Sequence, residues 1–267
     1  MKKVQSESAA ASRTKLKGHL AGIMLATLGK KYPDFADFYA AKKTEIEKIT
    51  ITWMVDAKQK TDGSASPVTN TITVKKFPKS PDDARTVARA IEHLLIWNRG
   101  YPYILAGDSA DEKTIRQLGE LATVIEGTVY EPMVESEIKK YFNKTGAENY
   151  LSATKGLAKL IENRQKILPE VTDPRNLLYY SCLYVQKQRL LESTCDAGKV
   201  EEYTRRFATH FGDTILPCAD KILSVIAKHT TRSPESVGEI FESILWNRNC
   251  AFAYRYFPEF DRFVIDQ

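Results

Sequence analysis

The chain is short of the residues that carry most nucleophilic, acid–base and metal chemistry. Its 267 residues include four histidines and four cysteines. Cys182, Cys195, Cys218 and Cys250 are widely spaced and form no Cys-x-x-Cys pair, which predicts free thiols in a reducing compartment and argues against a structural zinc site. Neither His-Glu-x-x-His nor Gly-x-Ser-x-Gly occurs, and no glycine-rich phosphate loop is present. The sequence therefore predicts no metal and no cofactor. Long apolar runs are missing as well. The longest, Leu20–Leu28, is broken by Gly22 and Thr27 and is too short to span a bilayer, so no membrane partner is expected. Met1-Lys2-Lys3 is followed by polar and charged residues, unlike a secretory leader, and the expected location is cytoplasmic.

What the chain does have is enough apolar material for a core and an uneven charge. Hydrophobic residues make up 43% and charged residues 27%, the balance of a globular protein. Residues 1–80 hold 15 Lys or Arg against 7 Asp or Glu, a balance of +8, while residues 81–267 hold 24 against 27, a balance of −3. Segregated positive charge predicts an anionic partner for the first third of the chain.

Periodicity divides the chain into helices and one short β region. A helix is expected from about Ser12 with an apolar face of Leu16, Leu20, Ile23, Met24 and Thr27, and a second over Asp34–Lys43. The period then changes to two. Ile49, Ile51, Trp53 and Val55 alternate with polar residues, as do Ile72 and Val74, which predicts a β-hairpin over 48–77 with a long polar tip. Ser80-Pro81-Asp82-Asp83 starts a helix that ends near Trp97-Asn98-Arg99-Gly100, and Ser233-Pro234-Glu235 starts another that ends on Trp246-Asn247-Arg248. Between them lie Ser109–Ile125, with a capping box and closed by Gly127, then 132–144, 147–167, a helix opened by Asp173-Pro174, 198–211 and 215–228. An aromatic segment follows Cys250. The fold class is therefore a mainly α, multi-helix globular bundle with one β-hairpin near the N-terminus. A basic lobe (1–79) and a helical body (80–267), or one cooperative domain, is the expected organisation.

Three patterns bear on function. Lys15, Lys17, Lys30, Lys31, Lys58, Lys60, Lys75 and Lys76 crowd the first third, with Tyr32 and Trp53 as candidate stacking groups, a composition suited to nucleic acid and to single strands in particular. The phase of Trp53 with Ile51 and Val55 directs it toward the apolar face. Residues 220–248 have the spacing of a helix-turn-helix, but the second helix offers Glu235, Glu239 and Glu242, which repel phosphate, so an ordinary helix pair is the preferred reading.

The third pattern is Arg205-Arg206-Phe207-Ala208-Thr209-His210, which resembles the Arg-x4-6-His motif of the helical HEPN ribonucleases. That resemblance implies His210 as general acid or base and Arg205 as the phosphate-stabilising cation, acting across a dimer interface; Arg206 departs from the polar residue often found after the arginine. The leading expectation is a non-catalytic nucleic-acid-associated protein, as an accessory subunit of a transcription or replication assembly, that contacts DNA or RNA through the basic lobe. The alternatives are an effector that binds a protein partner through its aromatic-rich C-terminal part, and a HEPN-like ribonuclease.

Overall fold

A computed structural model describes residues 13–16, 18–59, 61–107, 111–143, 145–246, 253–257 and 262–266. It is mostly helical, with two small sheets. The elements in order are β1 (Arg13–Leu16), α1 (Gly18–Lys31), α2 (Pro33–Ile46), β2 (Thr52–Asp56), β3 (Gly63–Ser66), β4 (Thr71–Val74), α3 (Pro81–Asn98) and β5 (Tyr103–Ala106). They continue with α4 (Glu112–Ile138), α5 (Thr145–Glu162), α6 (Arg164–Glu170), α7 (Pro174–Glu192), α8 (Ala197–Phe211), α9 (Ile215–His229), α10 (Pro234–Leu245), β6 (Ala253–Phe257) and β7 (Arg262–Asp266). Two compact units result: residues 1–99 with 137–143, and residues 100–136 with 144–267. The chain thus passes from one unit to the other just after α3, and α3 packs on β3 and β4 within the first.

In the first unit the sheet order is β1-β2-β4-β3. The expected hairpin needs correction. The strands around Trp53 and Ile72 are neighbours, but they run parallel, with Trp53 opposite Ile72 and Val55 opposite Val74. The hairpin of this region is β3–β4, built from Gly63–Ser66, which its small polar residues had marked only as part of a flexible tip. A parallel pair needs a crossover connection, and between β2 and β4 the chain adds β3 on the far side of β4. The first expected helix also starts late: residues 13–16 form β1, antiparallel to β2. Its buried face is Ala21, Met24 and Leu28, whereas Leu20 is 41% and Ile23 51% exposed, so the stripe is rotated from the predicted one.

α3 begins as its sequence dictates. The Ser80 hydroxyl accepts from the Asp83 N–H at 3.1 Å, and the Asp83 carboxylate accepts from the Ser80 N–H at 3.0 Å, a reciprocal capping box. Gly100, just past the end, has φ +86°, the left-handed conformation expected at that position. Facing α3, α2 contributes to a part-buried ionic cluster. Lys42 lies 2.9 Å from Glu137 and 3.7 Å from Glu92, and Arg99 lies 2.7 Å from Glu45 and 2.9 Å from Glu92. Burial raises the Glu92 pKa, opposed by the adjacent Lys42 and Arg99 charges. Phe38 meets Tyr141 edge-on, so aromatic packing and charge both bind 137–143 to α2.

In the second unit α4 runs unbroken through Gly127 and Pro132, where the sequence had suggested a stop and a fresh start. Gly127 serves packing instead: a Cβ there would lie 2.6 Å from the Gln186 amide nitrogen of α7. Residues expected as one helix over 147–167 divide into α5 and α6 at Asn163. Fully buried Tyr130, Tyr184, Phe207, Phe211 and Phe241 make the centre of the core, with Tyr184 stacked on Phe207 at 4.2 Å. The aromatic C-terminal segment supplies two strands to a sheet of order β5-β7-β6, with Phe263 buried against Phe241. The free edge of β5 is covered by Glu126 of α4, whose carboxylate accepts from the Ile104 N–H at 2.7 Å. Ser109, Asn247, Arg248 and Cys250 lie outside the described residues.

Candidate nucleic-acid interface

Parallel pairing of β2 and β4 determines where the lysines of the first unit lie. In an antiparallel hairpin Lys58 would sit at the tip and Lys75 at the opposite, open end. With both strands pointing the same way, Lys58 follows the end of β2 and Lys75 and Lys76 follow the end of β4, so all three emerge from one end of the sheet. Each is exposed. Lys75 and Lys76 border one small crevice with Asp62 and Asp83, and the Lys75 N–H donates to the Asp62 carbonyl.

The end of α1 joins this group through Lys79. The Tyr32 hydroxyl and the Lys31 ammonium both donate to the Lys79 carbonyl. Lys30 and Lys31, exposed in the last turn of α1, therefore stand beside the basic run Lys75–Lys79. Lys31 also lies over the Tyr32 ring, 5.4 Å from its centroid. Counter-charge is present among these lysines: the Asp56 carboxylate accepts from the Lys58 N–H at 3.0 Å, and Asp82 is exposed at the start of α3. Asp83 is held by the N–H groups of Lys79 and Ser80, the Ser80 hydroxyl and the Lys76 ammonium, which together outweigh its burial and lower its pKa. Asp62 is exposed.

The predicted site residues separate into three groups. Lys58, Lys75 and Lys76 share one end of the sheet, and Lys31 and Tyr32, with Lys30 next to them in sequence, adjoin Lys79. Lys15 is exposed on β1, opposite Met54, so it projects from the face away from Trp53. That face carries Thr71 and Thr73 opposite Ser66 and Ser64, a hydroxyl-rich surface. Lys17 and Lys60 lie outside the described residues. Trp53 is 4% exposed on the apolar face, so it is core and cannot stack on a base. Lys79 belongs to the cluster but was not singled out in the sequence, although it ends the same Lys-Lys-Phe-Pro-Lys run.

The remaining candidates do not converge. Arg205 and His210 lie five positions apart on α8, about 140° around the helix, so within one chain they face different directions. Glu235, Glu239 and Glu242 are exposed on α10, and the α9–α10 pair accordingly presents carboxylates. No group of three or more His, Cys, Asp or Glu among the described residues could hold a metal ion. No described helix is long and apolar enough to cross a membrane. The chain matches no protein-family model, no curated protein and no solved structure.

Proposed function

We propose that the protein associates with nucleic acid through the lysine cluster of its first unit, without catalysing a reaction on it. The observation that carries this reading is the placement of Lys58, Lys75 and Lys76 at one end of a sheet whose two central strands are parallel, adjoining Lys30, Lys31 and Lys79. Flexible ammonium groups gather counterion-releasing contacts with phosphates, while the hydroxyls of the Thr71/Thr73 face offer neutral hydrogen bonds to the same backbone. Tyr32 is a part-exposed aromatic of the group and favours single strands, whose bases are free to stack. A role as an accessory subunit in a transcription or replication assembly fits such a contact. Fluorescence anisotropy with single- and double-stranded oligonucleotides across a salt series is the test. Binding that strengthens as salt falls and prefers single strands supports the proposal; no binding at low salt removes it.

A second reading, a protein-binding role for the C-terminal part, is favoured by Trp246. This side chain is 62% exposed and lines a groove of about 390 Å³ with Leu178, Ile222, Val225 and Ile244. Sedimentation of the parent and of Trp246→Ser checks the case in which the partner is a second copy. Self-association lost in the variant supports it, and a parent that stays monomeric at all concentrations excludes that partner.

A further inference from the structure

Within the second unit a shallow, solvent-open cavity of about 610 Å³ lies between α7, α9 and the turn that leads into α10. Its size is that of a small-molecule site. Arg189 lines it from α7, Leu223 and Ile226 from α9, and Thr230, Thr231 and Arg232 from the turn.

The two guanidiniums differ in setting, Arg189 half-buried and Arg232 exposed. Arg189 donates to the Thr128 carbonyl, which uses one of its five N–H groups, and it forms no ion pair among the described residues. Arg232 likewise forms none among them, and the Tyr101 hydroxyl donates to its carbonyl at 3.1 Å, which ties its backbone in place. Glu192 is the carboxylate in the wall, and the Gln188 amide donates to it at 2.9 Å. Burial lowers the Arg189 pKa, and the Glu192 charge partly offsets this.

The turn itself is strained. Thr230 has φ 63° and ψ 171°, a region that glycine enters freely and a β-branched residue does not. Glycine would relieve the strain; threonine instead sets a hydroxyl at the rim of the cavity.

We propose that this cavity binds a small phosphomonoester with an apolar body, its phosphoryl oxygens on Arg189, Arg232 and the Thr230 and Thr231 hydroxyls and its body on Leu223 and Ile226. A phosphoryl group has three terminal oxygens and close to two negative charges, enough to engage two guanidinium forks and flanking hydroxyls, whereas a carboxylate has two oxygens and one charge. The site is independent of the lysine cluster, and the nucleic-acid reading can fail without affecting it.

Calorimetry with phenyl phosphate, benzoate and inorganic phosphate as probes tests the assignment on the full chain. Phenyl phosphate is expected to saturate with a Kd below about 1 mM, with benzoate and inorganic phosphate each at least about tenfold weaker. Arg232→Gln, at an exposed side chain, should weaken phenyl phosphate about tenfold. Arg189→Met is made in a Pro132→Ala background, which keeps the Thr128 carbonyl bonded, and should weaken it at least as much. Thr230→Gly should raise Tm while binding several-fold more weakly. No saturation by phenyl phosphate at about 10 mM overturns the proposal. So does parent-like affinity in both arginine variants. Benzoate binding as tightly as phenyl phosphate would overturn the phosphoryl assignment, and inorganic phosphate doing so would overturn the apolar subsite.

Discussion

Arg189 donates to the carbonyl of Thr128, the one carbonyl in α4 whose helical donor is missing because residue 132 is proline. A proline at position i removes the bond to the carbonyl at i−4, and a helix continues through it when another group supplies the donor. Here α7 supplies it. Arg189→Met in the parent should therefore cost about 1.5–3 kcal/mol, the value of a charged hydrogen bond to a buried acceptor. In Pro132→Ala the same change should cost clearly less, because the backbone N–H that alanine restores would take over the carbonyl. A double-mutant cycle by urea denaturation measures the coupling; additive effects would show that the bond does not compensate for the proline.

The Glu92–Arg99 pair ends α3 in a different way. The Glu92 side chain is only 3% exposed, and both neighbouring cations have a second partner, Glu137 for Lys42 and Glu45 for Arg99. Removing one member of a buried pair costs about 3–5 kcal/mol when the other is left alone. Since neither cation is left alone, and burial outweighs pairing in raising the Glu92 pKa, Glu92→Ala should cost less than this, about 1–3 kcal/mol. Arg99→Lys, which cannot span Glu45 and Glu92 with a planar fork, should also destabilise. Chemical denaturation of the three proteins ranks them.

The two Ser-Pro helix starts make a matched comparison. Ser80 has Asp83 as a reciprocal partner, whereas the Ser233 hydroxyl accepts from the Ser236 N–H at 3.3 Å with no carboxylate at that position. Ser80→Ala should cost about 1–2 kcal/mol and Ser233→Ala about 0.5–1 kcal/mol. Equal losses in thermal unfolding would mean that the reciprocal arm adds nothing.

Glu126 gives the protein a pH dependence of defined sign. The residue keeps some solvent surface, but its carboxyl is enclosed, and desolvation, only partly offset by the Ile104 N–H, pushes its pKa up to about 8 from an ordinary 4.5. The folded state therefore holds this proton where the unfolded state has released it. The contribution is fully present below about pH 4.5 and is lost as pH rises through about 8. Glu126→Gln keeps an acceptor for Ile104 without a titrating group. It should flatten this part of the stability profile and be the more stable protein at pH 9, by a few kcal/mol, measured by denaturation at several pH values.

Much of the helical layout was legible because it depends on neighbours in sequence. Caps at Ser80, Asp173 and Ser233 bond to backbone within three residues, and the left-handed Gly100 follows directly from the end of its helix. Errors occurred where a distant group decides. Gly127 and Pro132 read as a helix stop because Gln186 and Arg189, which make them tolerable, lie more than fifty residues away. The spacing of Trp53 and Ile72 identified two strands, but a period of two says nothing about direction, and β1 and β3 were hidden in short polar segments. Of the basic site, the residue types were visible and their juxtaposition was not. Trp246 resembles Trp97 in sequence context, yet it is exposed whereas Trp97 packs near His93 at 5.7 Å.

The lysine cluster is tested most directly by the salt dependence of binding. Lys30, Lys58, Lys75 and Lys79 changed together to Gln remove four of its cations while sparing Lys76, which supports the α3 cap through Asp83 at 3.2 Å. On a single-stranded oligonucleotide the plot of log binding constant against log salt should lose about 3 from its slope, at about 0.7 per phosphate contact, with the folded state unchanged by circular dichroism. Glu235→Gln with Glu239→Gln on α10 should leave the slope as it is. A folded quadruple variant that keeps both the affinity and the salt slope of the parent would contradict the proposed interface.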